Sequence, residues 1–236
     1  MSWLKNQSSE LSSMRPELEQ LETRNLLSHA SQVVADQIVH SAENYGNYVE
    51  QSYERYLGRT ADPAGFTGWV QYLERGGSPE SVEASFVASV EYQEIHGSNF
   101  IGWLTALYQD LLGRAPDAAG LNGWLNALAT GMSPYQIALA FSTSTEREAM
   151  FITADYVQFL GRTPDAAGMD GWLNVIENGG NREDIAVGIV GSDEYFAVQG
   201  DNDADFVIAS YEDILLRDPS AAELDAWVTA MGLIGP

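Results

Sequence analysis

The chain of 236 residues contains no cysteine. That excludes disulfides, thiolate zinc sites, iron–sulfur clusters and cysteine nucleophiles. It leaves the compartment open, because an extracellular protein can do without disulfides. Positive charge is also scarce. There are 11 Lys+Arg against 34 Asp+Glu, a formal charge of −23, and Lys5 is the only lysine. Polyanion binding depends on neutralising phosphates, so nucleic acid and anionic membrane surfaces are poor partners. No apolar run approaches the roughly 18–20 residues that span a bilayer, so no transmembrane segment is expected. The histidines are His29, His40 and His96, and none falls in an HxxxH pair or a serine triad motif. No phosphate-cradling loop appears. What is present is apolar: 45% hydrophobic and 11% aromatic residues argue for a folded body rather than a disordered acidic chain.

A block recurs four times. It reads YERYLGRTADPAGFTGWVQYL, YQDLLGRAPDAAGLNGWLNAL, YVQFLGRTPDAAGMDGWLNVI and YEDILLRDPSAAELDAWVTAM. Its tryptophans are Trp69, Trp124, Trp172 and Trp227, separated by 55, 48 and 55 residues. Tyr53, Tyr108, Tyr156 and Tyr211 keep the same spacing, as do Arg59, Arg114, Arg162 and Arg217. Four copies in one register mean tandem units, the fourth cut short by the C-terminus.

Each unit reads as helices. A first helix carries an aromatic residue (Tyr48, Trp103, Phe151, Phe206), the tyrosine five positions on, and a leucine four after that. Gly58, Gly113 and Gly161 follow, where a left-handed cap needs glycine. The fourth copy has Leu216 there, so its cap is expected to differ. A second helix starts at Asp62, Asp117 or Asp165, placed as N-caps, and ends at Gly76, Gly131 or Gly179. A third starts at Ser78-Pro79, Ser133-Pro134 or Asn181, and Ser89, Ser144 and Ser192 then read as caps for a further short turn. No strand is expected. The fold class is all-α: tandem helical repeats, about three helices per unit, stacked as a bundle or short solenoid. The organisation is an N-terminal segment at 1–35, repeats at 36–100, 101–150 and 151–200, and a truncated repeat at 201–236.

The unit LLGRxPDxxGxxxWxxxL…G…SxEY resembles the domain of unknown function 4214 family, over about residues 45–236. The resemblance implies a small helical module of bacterial extracellular and surface proteins, with no catalytic residue to carry over. The fourth copy departs from it at Leu216, Ser220 and Glu223. The N-terminal stretch RPELEQLETRNLLSHA, from Arg15 to Ala30, resembles the LEPR-XLL motif of large secreted or surface bacterial proteins. Leu18, Glu19, Leu21, Glu22, Arg24, Leu26, Leu27 and Ser28 carry that likeness. It lacks the roughly 7–15-residue apolar core of an ordinary secretory signal. The other reading is an amphipathic helix docked on the array through Leu18, Leu21 and Leu26.

Four sets of residues are candidates for chemistry. The repeated aspartates tempt as catalysts or metal ligands. Yet the fourth copy puts Ser220 in their place with Glu223 three residues on, a capping box without the aspartate's carboxylate, so capping is the expected role. The four arginines are expected to bond the last carbonyls of the first helix or to pair with a nearby acid, rather than to form a row of anion sites. The tryptophans are expected in core packing rather than as a ladder for sugar rings. In DNDAD, Asp201, Asp203 and Asp205 fall at positions 1, 3 and 5 of a calcium-loop pattern, with Glu212 at position 12. Position 6 is Phe206, which belongs to a helix, so Asp203 or Asp205 is expected to cap it. Calcium is the one cofactor the sequence suggests.

The expected function is a non-enzymatic, exported or cell-surface scaffold in the bacterial envelope or outside the cell, meeting a protein or glycan partner. The alternatives are a calcium-dependent surface module and, further off, a polysaccharide-acting enzyme, for which the sequence nominates no acid pair.

Overall fold

The computed structural model describes residues 30–234. The LEPR-XLL-like residues Leu18 to Ser28 lie outside the described residues. All described secondary structure is helical. Helix α1 covers 30–39. The first copy supplies α2 (Ala42–Leu57), α3 (Pro63–Glu74), α4 (Pro79–Ala88) and the short α5 (Val90–Ile95). The second supplies α6 (Phe100–Leu112), α7 (Ala118–Ala129) and α8 (Pro134–Ser142). The third supplies α9 (Thr145–Leu160), α10 (Ala166–Glu177), α11 (Arg182–Val190) and α12 (Asp193–Val198). The fourth supplies α13 (Asp203–Ser210), a π-helical turn (Tyr211–Leu215) and α14 (Ala221–Ile234).

The helix ends follow the sequence. Asp62, Asp117 and Asp165 accept hydrogen bonds from the backbone N–H of Gly65, Gly120 and Gly168 at 2.9, 2.8 and 2.7 Å. Ser89, Ser144 and Ser192 cap α5, α9 and α12 in the same way. The left-handed caps at Gly58, Gly113 and Gly161 have φ of 64, 66 and 65°. The sequence led one to expect a different cap in the fourth copy, but the left-handed geometry is kept there. Leu216 itself adopts φ 59°, a conformation that strains a side chain with a Cβ, directly after the π turn.

The uneven repeat spacing has a simple cause. After α5 the chain breaks at Gly97-Ser98-Asn99, with φ 94° at Gly97 and 53° at Ser98, and Asn99 caps α6. After α12 it breaks at Gly200-Asp201-Asn202, with φ 105° and 58°, and Asn202 caps α13. No such break follows Ser144. There the short helix and the next first helix run together as the 16-residue α9, which is why that spacing is the shorter one.

The described chain forms two compact units. The larger is 40–186. Its core takes Tyr53, Val82, Phe86, Trp103, Leu107, Ile137 and Phe141 from first and third helices, and α4 packs directly on α8. The second helices contribute little: Leu73 is the one buried residue of α3, and α7 and α10 have none. They lie as outer straps, each against the first helix of its own copy. The smaller unit joins the described part of 1–39 with 187–236. Its buried residues include Val34, Ala35 and Ile38 of α1, with Tyr195, Phe206 and Met231. A Cβ at Gly191 would lie 2.6 Å from Gln32 Cγ, so α1 makes a close approach there. Residues 30–35, grouped with the N-terminal segment on sequence, are therefore part of a folded helix.

Candidate functional site

The repeated polar residues form one assembly per copy. Arg59 lies 4.8 Å over the ring of Tyr53, and Arg114, Arg162 and Arg217 lie 5.0 Å over Tyr108, Tyr156 and Tyr211. In the first three copies the tyrosine hydroxyl comes up against the next helix where glycine leaves room. A Cβ at Gly65, Gly120 or Gly168 would stand 2.0, 2.4 or 2.8 Å from it. The tryptophan indole donates to the same hydroxyl, from Trp172 to Tyr156 at 3.1 Å and from Trp227 to Tyr211 at 2.8 Å. Trp69 and Trp124 are half-buried and stack 5.7 and 5.2 Å from Phe86 and Phe141. The tryptophans thus seal the margin of the core rather than filling its centre.

Arg59, Arg114 and Arg217 pair with acids. Arg59 binds Glu91 through Nε and Nη2 at 2.5 and 2.9 Å, and Arg114 binds Glu146 at 2.6 and 2.8 Å. Glu91 and Glu146 are held below the usual carboxylate range, chiefly by these hydrogen bonds. Arg59, Arg162 and Arg217 also donate to a carbonyl. It is that of the following residue, not one of the last carbonyls of the helix. In the fourth copy Glu223 stands at the position where the other copies have glycine. It accepts from Arg217 at 2.8 and 3.1 Å and completes a capping box with Ser220. Hydrogen bonds from Arg217 and then Ser220 hold its carboxyl at about 2. The departures at Ser220 and Glu223 therefore give Arg217 a partner on the second helix of its own copy.

The DNDAD segment is the helix break already described. Asn202, not Asp203 or Asp205, is the cap of α13, accepting from Asp205 N at 3.0 Å, and its amide donates to Asp205 Oδ2 at 2.6 Å. Among the described residues, no three His, Asp or Glu side chains are gathered so as to hold a metal ion.

The larger unit contains a cluster that the repeat pattern does not announce. Arg147 is 3% exposed and Arg182 7%, with Glu80 at 5%, Glu83 at 2% and Glu148 at 1%. Glu83 binds both arginines: Arg147 by a short contact through Nη2, and Arg182 at 3.3 Å through Nη1. It also accepts from the Tyr56 hydroxyl at 2.6 Å. Both Glu148 oxygens accept from Arg182 at 3.2 Å, and Glu80 Oε1 accepts from the Arg182 backbone N–H at 3.1 Å. Arg147 Nη1 and Arg182 Nη2 reach the carbonyls of Leu111 and Ser142 at 2.8 and 2.5 Å. Both guanidiniums lie over Phe151, 4.3 and 3.6 Å from its centroid. Burial pushes the Glu83 carboxyl up, but Arg182 and the Arg147 hydrogen bond outweigh it and hold it at about 2. Burial raises Glu148 and takes Asp155 to about 7, in each case against the pull of Arg182. One signal could have found most of this cluster: Glu83, Arg147, Glu148 and Arg182 are charged where other copies are uncharged, although Glu80 has the charged counterpart Glu183.

Beside it opens a cavity of about 480 Å³, with Glu80, Glu148, Thr143 and Thr145 on one side and Leu173 and Ile176 of α10 on the other. Its two buried carboxylates are those already engaged by Arg182. No helix among the described residues is long and apolar enough to cross a membrane.

Copies that share their caps, arginine clamps and aromatic seals define a tandem helical-repeat protein. The sequence profile of the family described as Domain of unknown function (DUF4214) matches residues 35–96, 83–151 and 147–199. The chain belongs to that family. The fourth copy lies outside the three matches. No curated protein and no solved structure matches the chain.

Proposed function

We propose that the protein is a non-catalytic, exported or cell-surface scaffold of the bacterial envelope or extracellular matrix, acting through a protein or glycan partner. The observation that carries this reading is the inward use of the motif. The repeated aspartates cap helices, and the clamps at Arg59, Arg114 and Arg217 bind acids of the same chain. What repeats on the outside is small and uncharged or acidic: Ala64, Thr67 and Gly68 on α3, Ala119, Asn122 and Gly123 on α7, Ala167, Asp170 and Gly171 on α10. A partner would meet these faces. The export part rests on the LEPR-XLL-like stretch. Fractionating the native host with a C-terminally tagged full chain, with protease added to intact cells, tests it. Tag at the surface or in the medium is the expected result; an intact, protected cytoplasmic chain would overturn it.

Two other readings have definite tests. A calcium-dependent module requires the melting midpoint to rise with millimolar calcium; under the scaffold reading it does not move. A polysaccharide hydrolase would place its acids at the cavity beside Glu80 and Glu148. Arg182 occupies both oxygens of Glu148, which argues against its acting as a proton donor. Hydrolysis of host envelope glycan that disappears in Glu148→Gln would reinstate that reading.

A further inference from the structure

The copies share their apolar contacts, and this raises a problem of pairing. Val82 and Phe86 of α4 have the counterparts Ile137 and Phe141 of α8 and Ile185 and Ile189 of α11. Surfaces this alike discriminate poorly, so a third helix could dock on the wrong copy, in its own chain or in another. The buried charges sit where the copies differ. Glu83 aligns with Ala138 and Ala186, Arg182 with Pro79 and Pro134, and Arg147 with Tyr92 and Tyr195. In the first junction Tyr92 donates to Asp110 at 2.7 Å, and in the third Tyr195 donates to Asp213 at 2.8 Å. In the middle junction Arg147 instead turns to Glu83 and the Leu111 carbonyl.

We propose that the Glu80–Glu83–Arg147–Glu148–Arg182 network is a register lock: it selects the pairing of the first copy with the third, against exchange between near-equivalent copies within or between chains. The contacts are long in sequence. Arg182 reaches Glu80 and Glu83 across 102 and 99 residues, and Arg147 reaches Glu83 across 64. In a simple stacked array each repeat touches its neighbours alone; here the third copy reaches the first. In any other register these side chains would be buried against Ala138, Ala186 or a proline with no opposite charge, and an unpaired buried charge is strongly disfavoured. A single buried polar residue sets register in coiled coils by the same logic. The lock therefore acts by making the alternatives costly, whatever its own net contribution to stability.

The absence of cysteine makes the test clean. Glu74→Cys on α3 and Asp170→Cys on α10 place spin labels on exposed positions of the first and third copies. The full chain with the lock intact gives one narrow distance. The variant Glu80→Gln, Glu83→Ala, Arg147→Tyr, Glu148→Gln, Arg182→Pro uses residues that other copies hold at four of the five positions. It is expected to stay helical while a second distance, or a dimer that grows with concentration, takes more than about a tenth of the signal. A helical variant with the single original distance and unchanged mass would overturn the proposal. If that variant loses its helical signal, Glu83→Gln decides. It keeps the shape and removes one charge. A second distance or a dimer supports the lock, and the single original distance overturns it. Loss of the fold in both variants also overturns it, because the charges would then hold the fold rather than choose among its registers.

Discussion

Glycines occur in pairs on the second helices, and the two members have opposite meanings. Gly65, Gly120 and Gly168 make room for a tyrosine hydroxyl, while a Cβ at Gly68, Gly123 or Gly171 would meet nothing within 4 Å. Glycine inside a helix is less favourable than alanine by roughly 0.5–1 kcal/mol. Gly68→Ala, Gly123→Ala and Gly171→Ala should therefore each stabilise the fold by about that amount, while Gly120→Ala should destabilise it. Urea unfolding of the four variants checks this. If the stabilised triple variant also loses binding to an envelope partner, the open glycines mark the contact face. At the caps, Asp117→Ala should cost about 1 kcal/mol and Asp117→Ser much less, since serine can accept the same N–H hydrogen bond. Capping was legible in the sequence because it depends on local spacing and because the fourth copy tolerates Ser220. The partner of each arginine was not. Arg59 and Glu91 meet only after three helices have packed, 32 residues apart.

Among the elements, the helices and their order follow from periodicity and caps, and the fold class could be read directly. The relative burial of helices could not. The second helices carry the most conspicuous motif residues yet bury least, because the large Trp69 and Trp124 rings reach the core edge from an otherwise outward-facing helix. The acidic DNDAD run looked like a calcium loop in isolation. Its counterpart Gly97-Ser98-Asn99 has the same backbone break without any acid, so a positive-φ turn accounts for it. The network on α4, α9 and α11 sets the pH response of the larger unit. The Glu83 carboxyl is lowered to about 2, so its contribution is present above the ordinary carboxylate range and is lost as pH falls through about 2. Asp155 is raised to about 7, so the folded state binds a proton that the unfolded chain has released. Stability should then decline as pH rises from about 4 to 7, and Asp155→Asn should reduce that decline, leaving the smaller part that the raised Glu148 carboxyl supplies. Urea midpoints taken from about pH 1.5 to about pH 8, a range spanning both groups' ordinary and shifted values, check both signs.

For the whole molecule, a formal charge of −23 on 236 residues means self-repulsion that folding concentrates. Added salt screens it over a Debye length of about 10 Å at 0.1 M, so the melting midpoint should rise from low to moderate sodium chloride. A midpoint that falls would mean that the clamps at Arg59, Arg114 and Arg217, which salt weakens, outweigh the repulsion. The long-range pairing of the first and third copies could not be read from the repeat itself, because its charges depart from the pattern that makes the rest readable.

The central claim is that first and third helices carry the fold, and that the motif-bearing second helices strap them from outside. Native-state hydrogen exchange, resolved by helix, tests it most directly. The slowest amides should lie in α4, α6, α8 and the first turns of α9, with α3, α7 and α10 opening at lower free energy. Slowest exchange in α7 and α10, or uniform protection across all the helices, would contradict it.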